Sequence, residues 1–279
     1  MATQIQAQDK TVSVNGLNLH YLDWGRLGKP PIILLHGLRG HAHAWDDVAA
    51  ATCTDYHVLA LDQRGRGGSD WAKDGDYSTD AYVADLAAFA DALKLDSFVL
   101  VGHSMGGRNS MAFAAQYPQR LQKLVIVDIG PTVDPRGSTR ISEEINAVPE
   151  AFDSFEAVVA YMSKQNRFAS DAVMHRRLQY ATKTLPDGQV GWCYDVAIRQ
   201  QWRQGTAAPS VDLWPGLSKI TCPTLIVRGM ETDLLTSEVA QKMVEVLANA
   251  TVVEIERAGH MVFEDNPQDF NHALATWLP

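Results

Sequence analysis

Cysteine is scarce and poorly spaced for pairing: the 279 residues hold three, Cys53, Cys193 and Cys222, an odd number set far apart. They offer neither a disulfide framework nor a zinc-ligand spacing, and a reducing compartment is expected. No apolar run approaches the roughly 18 residues of a membrane-spanning helix. The first ten residues, MATQIQAQDK, lack the apolar stretch of a signal peptide, so a cytoplasmic protein is expected. Basic charge is also in deficit. With 24 Lys and Arg against 33 Asp and Glu, a net charge of −9, neither nucleic acid nor an anionic membrane is expected as the main partner. The chain has no internal repeats and no low-complexity tract.

What is present is apolar sequence broken at strand and helix spacing. At 46% hydrophobic, the length suits one large α/β domain with an insertion. Residues Ser97 to Ser110 organise the rest. The run Phe98-Val99-Leu100-Val101 reads as a buried strand, and a helix-compatible stretch follows from Asn109 to Tyr117. Between them, Gly102-His103-Ser104-Met105-Gly106 matches G-x-S-x-G, a strand-to-helix turn that lifts a serine hydroxyl above the sheet edge. The same turn aims the Met105 N–H at the space beside Ser104.

Thr11 to Tyr21 alternates apolar residues about Asn15-Gly16, a hairpin signal. Ile32-Ile33-Leu34-Leu35 is a continuous apolar run, as expected of a parallel strand covered on both faces. It ends in His36-Gly37-Leu38-Arg39-Gly40, a loop able to turn the Leu38 N–H toward the face of Ser104. Tyr56 to Leu61 is a further strand, ending in a loop whose Arg64 and Arg66 are expected to pair with nearby carboxylates such as Asp62. Ser78 or Thr79 caps a helix running to Leu95. Leu124–Val127, Thr224–Val227 and Val252–Ile255 complete the strands, and Pro267–Leu278 is a closing amphipathic helix. The alternation of strand and helix predicts right-handed crossovers and a mostly parallel sheet flanked by helices.

Across residues 132–214 strand-like runs disappear. Helices are expected at Ile141–Ala147, Ser154–Gln165, Ser170–Leu185 and Val190–Gln204. This reads as a helical lid inserted into a core made of residues 1–131 and 215–279. It carries Tyr161, Met162, Phe168, Trp192, Tyr194, Trp202 and Trp214. More than half of these are expected in a small core of the lid, and the rest, Trp192 among them, along an apolar substrate pocket.

Ser104, Asp128, Asp233 and His260 all follow the carboxyl ends of strands, where open α/β sheets place ligands. A serine hydroxyl becomes a nucleophile when an imidazole takes its proton, and that imidazole needs a carboxylate to fix its tautomer. His260, in an Ala-Gly-His loop after the last strand, is the expected base. Two carboxylates compete as the third member, Asp128 and Asp233. If either is not the acid, Asp128 is expected to pair with Arg108, or Asp233 to cap the helix near Thr236.

From His36-Gly37 through the elbow to Gly259-His260 the chain resembles the lid-bearing serine hydrolases of the α/β-hydrolase superfamily. Gly107-Arg108-Asn109-Ser110 is similar to the bacterial hydrolases of (acetamidomethylene)succinate. The resemblance implies a Ser-Asp-His triad, an oxyanion hole of the Leu38 and Met105 N–H groups, and no metal or organic cofactor. In many members the acid stands three residues after a glycine, which here lands on Thr232, with Asp233 one further on. In others it follows the strand after the elbow, where Asp128 stands 24 residues past Ser104; Asp128 is therefore favoured over Asp233. His36 is expected to hydrogen-bond within its own loop, and His103 to orient the elbow or border the substrate. Arg39 binds a substrate carboxylate or points to solvent. The expected activity is hydrolysis of a small ester, lactone or activated amide through an acyl-enzyme, on a monomer or homodimer. A serine nucleophile disfavours dehalogenase and epoxide hydrolase chemistry. The carbon–carbon hydrolases of ring-cleavage products remain an alternative, although they often carry Asn at the place of His103. A non-catalytic ligand receptor on the same fold is the other alternative.

Overall fold

The computed structural model describes residues 6–25, 27–165, 167–208 and 210–279; the first five residues of the N-terminal stretch read above lie outside them. Asn15 and Gly16 adopt φ of 50° and 76°, the backbone a tight hairpin demands. They join β1 (Gln8–Val14) to β2 (Leu17–Asp23) in antiparallel register. Then come β3 (Pro31–Leu35), α1 (Asp46–Thr52), β4 (His57–Leu61) and α2 (Thr79–Ala92). Ser78 Oγ caps α2 by accepting from the Ala81 N–H, and the helix stops three residues before Leu95, where Lys94 turns to a φ of 56°.

β5 (Phe98–His103), α3 (Met105–Gln116) and β6 (Leu121–Val127) follow. The next stretch holds α4 (Pro135–Ala147), β7 (Ala151–Phe152), α5 (Phe155–Ser163), α6 (Asp171–Ala181), β8 (Thr182–Thr184), β9 (Val190–Trp192), α7 (Val196–Gln204) and α8 (Trp214–Leu217). The chain closes with β10 (Thr224–Gly229), α9 (Ser237–Val246), β11 (Ala250–Ile255), α10 (Val262–Asp265) and α11 (Pro267–Trp277).

The main sheet has the order β1-β2-β4-β3-β5-β6-β10-β11 and is parallel from β4 to β11. Its apolar runs are continuous because both faces are covered. In β5, Phe98 and Leu100 pack with Phe89 of α2 and Phe113 of α3, while Val99 and Val101 face Val48 of α1 and Phe270 of α11. The outcome is a three-layer α/β core whose strand ends share one edge.

The expectation of helices alone between β6 and β10 is corrected. β7, β9 and β8 form a small antiparallel sheet there, because the chain doubles back at Gly188 (φ 85°) and pairs Thr182–Thr184 with Val190–Trp192. Within the aromatic set one residue, Trp214, departs from expectation. Tyr161, Met162 and Trp192 pack on a small cluster about Val158 and Leu178, Tyr194 stacks on Trp192, and Trp214 joins the main core. No helix among the described residues is long and apolar enough to cross a membrane.

Candidate active site

The loops after β5, β6, β10 and β11 carry Ser104, Asp128, Thr232 with Asp233, and His260 to one edge of the sheet. Ser104 has φ 52° and ψ −118°, and Asp128 has φ 50°. Neither is glycine, and strain of this kind persists only where the surrounding structure over-determines it. The ladder does so: the Ser104 N–H donates to Val127 O at 3.1 Å and the Asp128 N–H to Val227 O at 2.8 Å. At Gly106 an added Cβ would stand 2.4 Å from Leu35 O and 2.7 Å from His36 O, both backbone atoms. Gly106→Ala must therefore push α3 away from β3, and a loss of about 2 kcal/mol is expected, measured by urea unfolding.

The serine, imidazole and carboxylate meet. The Ser104 hydroxyl lies 2.9 Å from His260 Nε2, and His260 Nδ1 lies 2.9 Å from Asp128 Oδ2. Because Asp128 accepts from Nδ1–H, Nε2 is left to accept from the serine. Asp128 is fully buried and held by further donors: the Gly229 N–H at 3.0 Å on Oδ1 and the Thr232 hydroxyl at 2.6 Å on Oδ2. Burial raises the Asp128 carboxyl above the usual carboxylate range, and the Thr232 and Gly229 donors offset only part of that rise. Burial likewise pushes the His260 imidazole down, with the Arg140 cation adding to the effect. The imidazole is thus neutral and its Nε2 is able to accept a proton.

Asp233 is not brought to the imidazole. It receives both prongs of Arg140, at 2.6 and 2.7 Å, and Thr236, not Asp233, caps α9. Asp128 makes no pair with Arg108, which instead donates to Gly130 O, Pro131 O, Ser210 Oγ and Val211 O. Thr232 escaped the sequence reading as a functional residue. Its signal was its place three residues after Gly229; that position supplies a hydroxyl that donates to Asp128, on the loop after the neighbouring strand.

His103 is 2% exposed and donates from Nε2 to the His260 carbonyl at 2.8 Å, its ring 4.5 Å from the His260 ring. It backs the imidazole and also borders the cavity above Ser104. His36 donates from Nδ1 to Gly37 O and accepts from the Gln63 N–H at Nε2. Gln63 then ties the loop to α3 by donating to His36 O and accepting from Asn109. Burial drives the imidazole of His36 down to about 4 and that of His103 to about 3. Protonation of either needs far more acid than the ordinary imidazole range. Ring ¹⁵N resonances of both should therefore stay those of neutral imidazole from pH 8 to pH 5; midpoints near 6.5 would contradict the buried hydrogen-bond roles.

A cavity of about 820 Å³ opens over Ser104, lined among others by Leu38, Met105, Trp192, Phe168, Ile129 and His260. Met105 is the first residue of α3, so its N–H has no partner within the helix. Arg39 reaches this cavity and is partly exposed, and its guanidinium Nη2 meets Glu144 at 2.7 Å. Glu144 also takes Arg140 at 2.7 Å, so Arg39, Glu144, Arg140 and Asp233 form an alternating charge chain that fastens α4 over the cavity. Trp192 Nε1 donates to Pro149 O, which leaves the ring's apolar surface to the cavity. The expectation of carboxylate partners holds for Arg64, through Asp85 and not Asp62, and fails for Arg66. Arg64 grips Asp85, while Asp62 is taken by His20 and the N–H groups of Ala42 and Gly68.

The chain belongs to the α/β-hydrolase fold family, whose model matches residues 30–267, and it is a hydrolase. It is 32% identical to the N-formylmaleamate deformylase of Pseudomonas putida, over 96% of this chain and 95% of that protein. It is 31% identical to the 3-hydroxybutyrate-oligomer hydrolase of Cupriavidus necator, over 89% of both. The crystal structure of E-2-(acetamidomethylene)succinate hydrolase superposes with a TM-score of 0.88 at 25% identity, over 98% of this chain and 99% of that one.

Proposed function

We propose that the chain is a serine hydrolase that cleaves a small ester, lactone or activated amide through an acyl-enzyme. The carrying observation is the unbroken relay from Ser104 Oγ through His260 to Asp128, each step 2.9 Å. Ser104 Oγ attacks the carbonyl carbon while its proton passes to His260 Nε2, and Asp128 stabilises the imidazolium. The former carbonyl oxygen, now negative, accepts from the Leu38 and Met105 N–H groups. His260 returns the proton to the leaving group, and an acyl-enzyme on Ser104 remains. Water, deprotonated by His260, repeats the sequence and releases the acid. Residues 132–214 serve as the lid, with α4 and Trp192 roofing the cavity. The partner is a small molecule, and no metal or organic cofactor enters these steps. Since Glu144 already neutralises Arg39, a carboxylate on the substrate is not required.

The names of the relatives support hydrolytic chemistry on ester and amide-like bonds. Stopped-flow mixing with p-nitrophenyl acetate tests the reading. A rapid release of about one p-nitrophenolate per chain, followed by slower steady turnover, is expected of an acyl-enzyme. Tight ligand binding with negligible turnover would mark a receptor instead.

A further inference from the structure

Arg66 is the charge at this site that nothing above explains. Its side chain is fully buried, at 1% exposure. Arg39, Arg64, Arg140 and Arg177 each meet a carboxylate, yet among the described residues none lies within the 4.0 Å of an ion pair from Arg66. The acidic groups nearby are spent elsewhere: Asp85 on Arg64, Asp62 on His20, and Asp195 on the Tyr77 hydroxyl. Arg66 is held by neutral groups alone. Nη1 donates to Arg64 O at 3.0 Å and to the Tyr82 hydroxyl, and the guanidinium carbon sits 5.6 and 5.5 Å from the Tyr77 and Tyr82 ring centres.

Its two remaining contacts fall on a meaningful pair. Nε donates to Leu38 O at 3.0 Å, and Nη2 reaches Met105 Sδ at 3.4 Å. Leu38 and Met105 are the two residues whose N–H groups are assigned above to the oxyanion. A buried cation without a counter-ion is costly, and dipoles and aromatic faces offset only part of that cost.

We propose that Arg66 is a positioning residue of the oxyanion hole, clamping Leu38 and Met105, and that its charge finds a counter-ion only when the tetrahedral oxyanion forms. This rests on the serine-hydrolase reading. The substrate carbonyl is neutral and the intermediate is anionic, so the interaction strengthens between them; such a term raises kcat and leaves KM nearly alone. Removing a direct oxyanion donor typically costs ~10²–10³ in kcat, and a charge acting at one remove is expected to be worth about tenfold.

The test compares Arg66→Met and Arg66→Lys with the unaltered protein, using p-nitrophenyl acetate and two inhibitors. One is an alkyl trifluoromethyl ketone, which Ser104 converts to an anionic hemiketal as its proton moves to His260. The other is the alcohol of the same skeleton, which stays neutral. For Arg66→Met, kcat should fall about tenfold with KM changed less than twofold, the ketone should bind about tenfold more weakly, and the alcohol should bind as before. Arg66→Lys, which keeps the charge, should recover most of the loss. Equal weakening of both inhibitors, or an unchanged kcat, would overturn the proposal. Should Arg66→Met fail to fold, Arg66→Gln carries the same comparison, with circular dichroism as the folding check. If the unaltered protein neither turns over the ester nor binds the ketone more tightly than the alcohol, the serine-hydrolase reading itself has failed; if it does both and only the Arg66 effects are missing, this inference alone falls.

Discussion

Asp128→Asn is expected to lower kcat for p-nitrophenyl acetate by about 10⁴, because the amide cannot accept from Nδ1–H and the imidazole turns over to the tautomer that cannot take the serine proton. The loss should fall on kcat and leave KM within a few-fold, since Asp128 is buried beneath the histidine and does not line the cavity. Asp233→Asn is expected to stay within about threefold. That carboxylate holds Arg140 on α4, and its loss weakens a part-exposed ion pair worth about 1 kcal/mol or less. The reverse ranking of the two variants would move the acid to the β10 loop and undo the assignment of Thr232 as its support.

Ser104→Ala is expected to cost still more, on the order of 10⁶ in kcat, because the covalent route is closed and only binding and the oxyanion donors are left. Folding should be undisturbed. Ser104 Oγ has His260 as its hydrogen-bond partner, and its backbone N–H to Val127 does not depend on the side chain. The positive φ at this position is held by the β5–β6 ladder, so alanine takes the same strained turn that serine does. Measuring kcat beside the unfolding midpoint separates loss of the nucleophile from loss of the fold.

The core was legible in the sequence because its signals are local and repeated. Continuous Val, Ile and Leu runs mark strands covered on both faces, Asn15-Gly16 marks the hairpin, and the spacing of Gly102 and Gly106 about Ser104 marks the elbow. What could not be read depends on side-chain geometry between distant segments. The choice between Asp128 and Asp233 turns on which carboxylate is already occupied, and Arg140, 93 residues from Asp233 in sequence, decides that by bonding to it. Arg39 shows the same limit. Its position in the loop after β3 was plain, but Glu144 on α4 sets its partner. The small sheet β7-β9-β8 was missed because strands of two or three residues are too short to establish an alternating pattern.

Incubation with a fluorophosphonate followed by peptide mass spectrometry examines the nucleophile itself. One phosphonyl group per chain is expected, on the peptide carrying Ser104, with labelling slowed by orders of magnitude in His260→Ala. A stoichiometric adduct on another serine, or ester turnover in a protein whose Ser104 resists the reagent, would show that the hydroxyl held 2.9 Å from His260 Nε2 does not perform the chemistry.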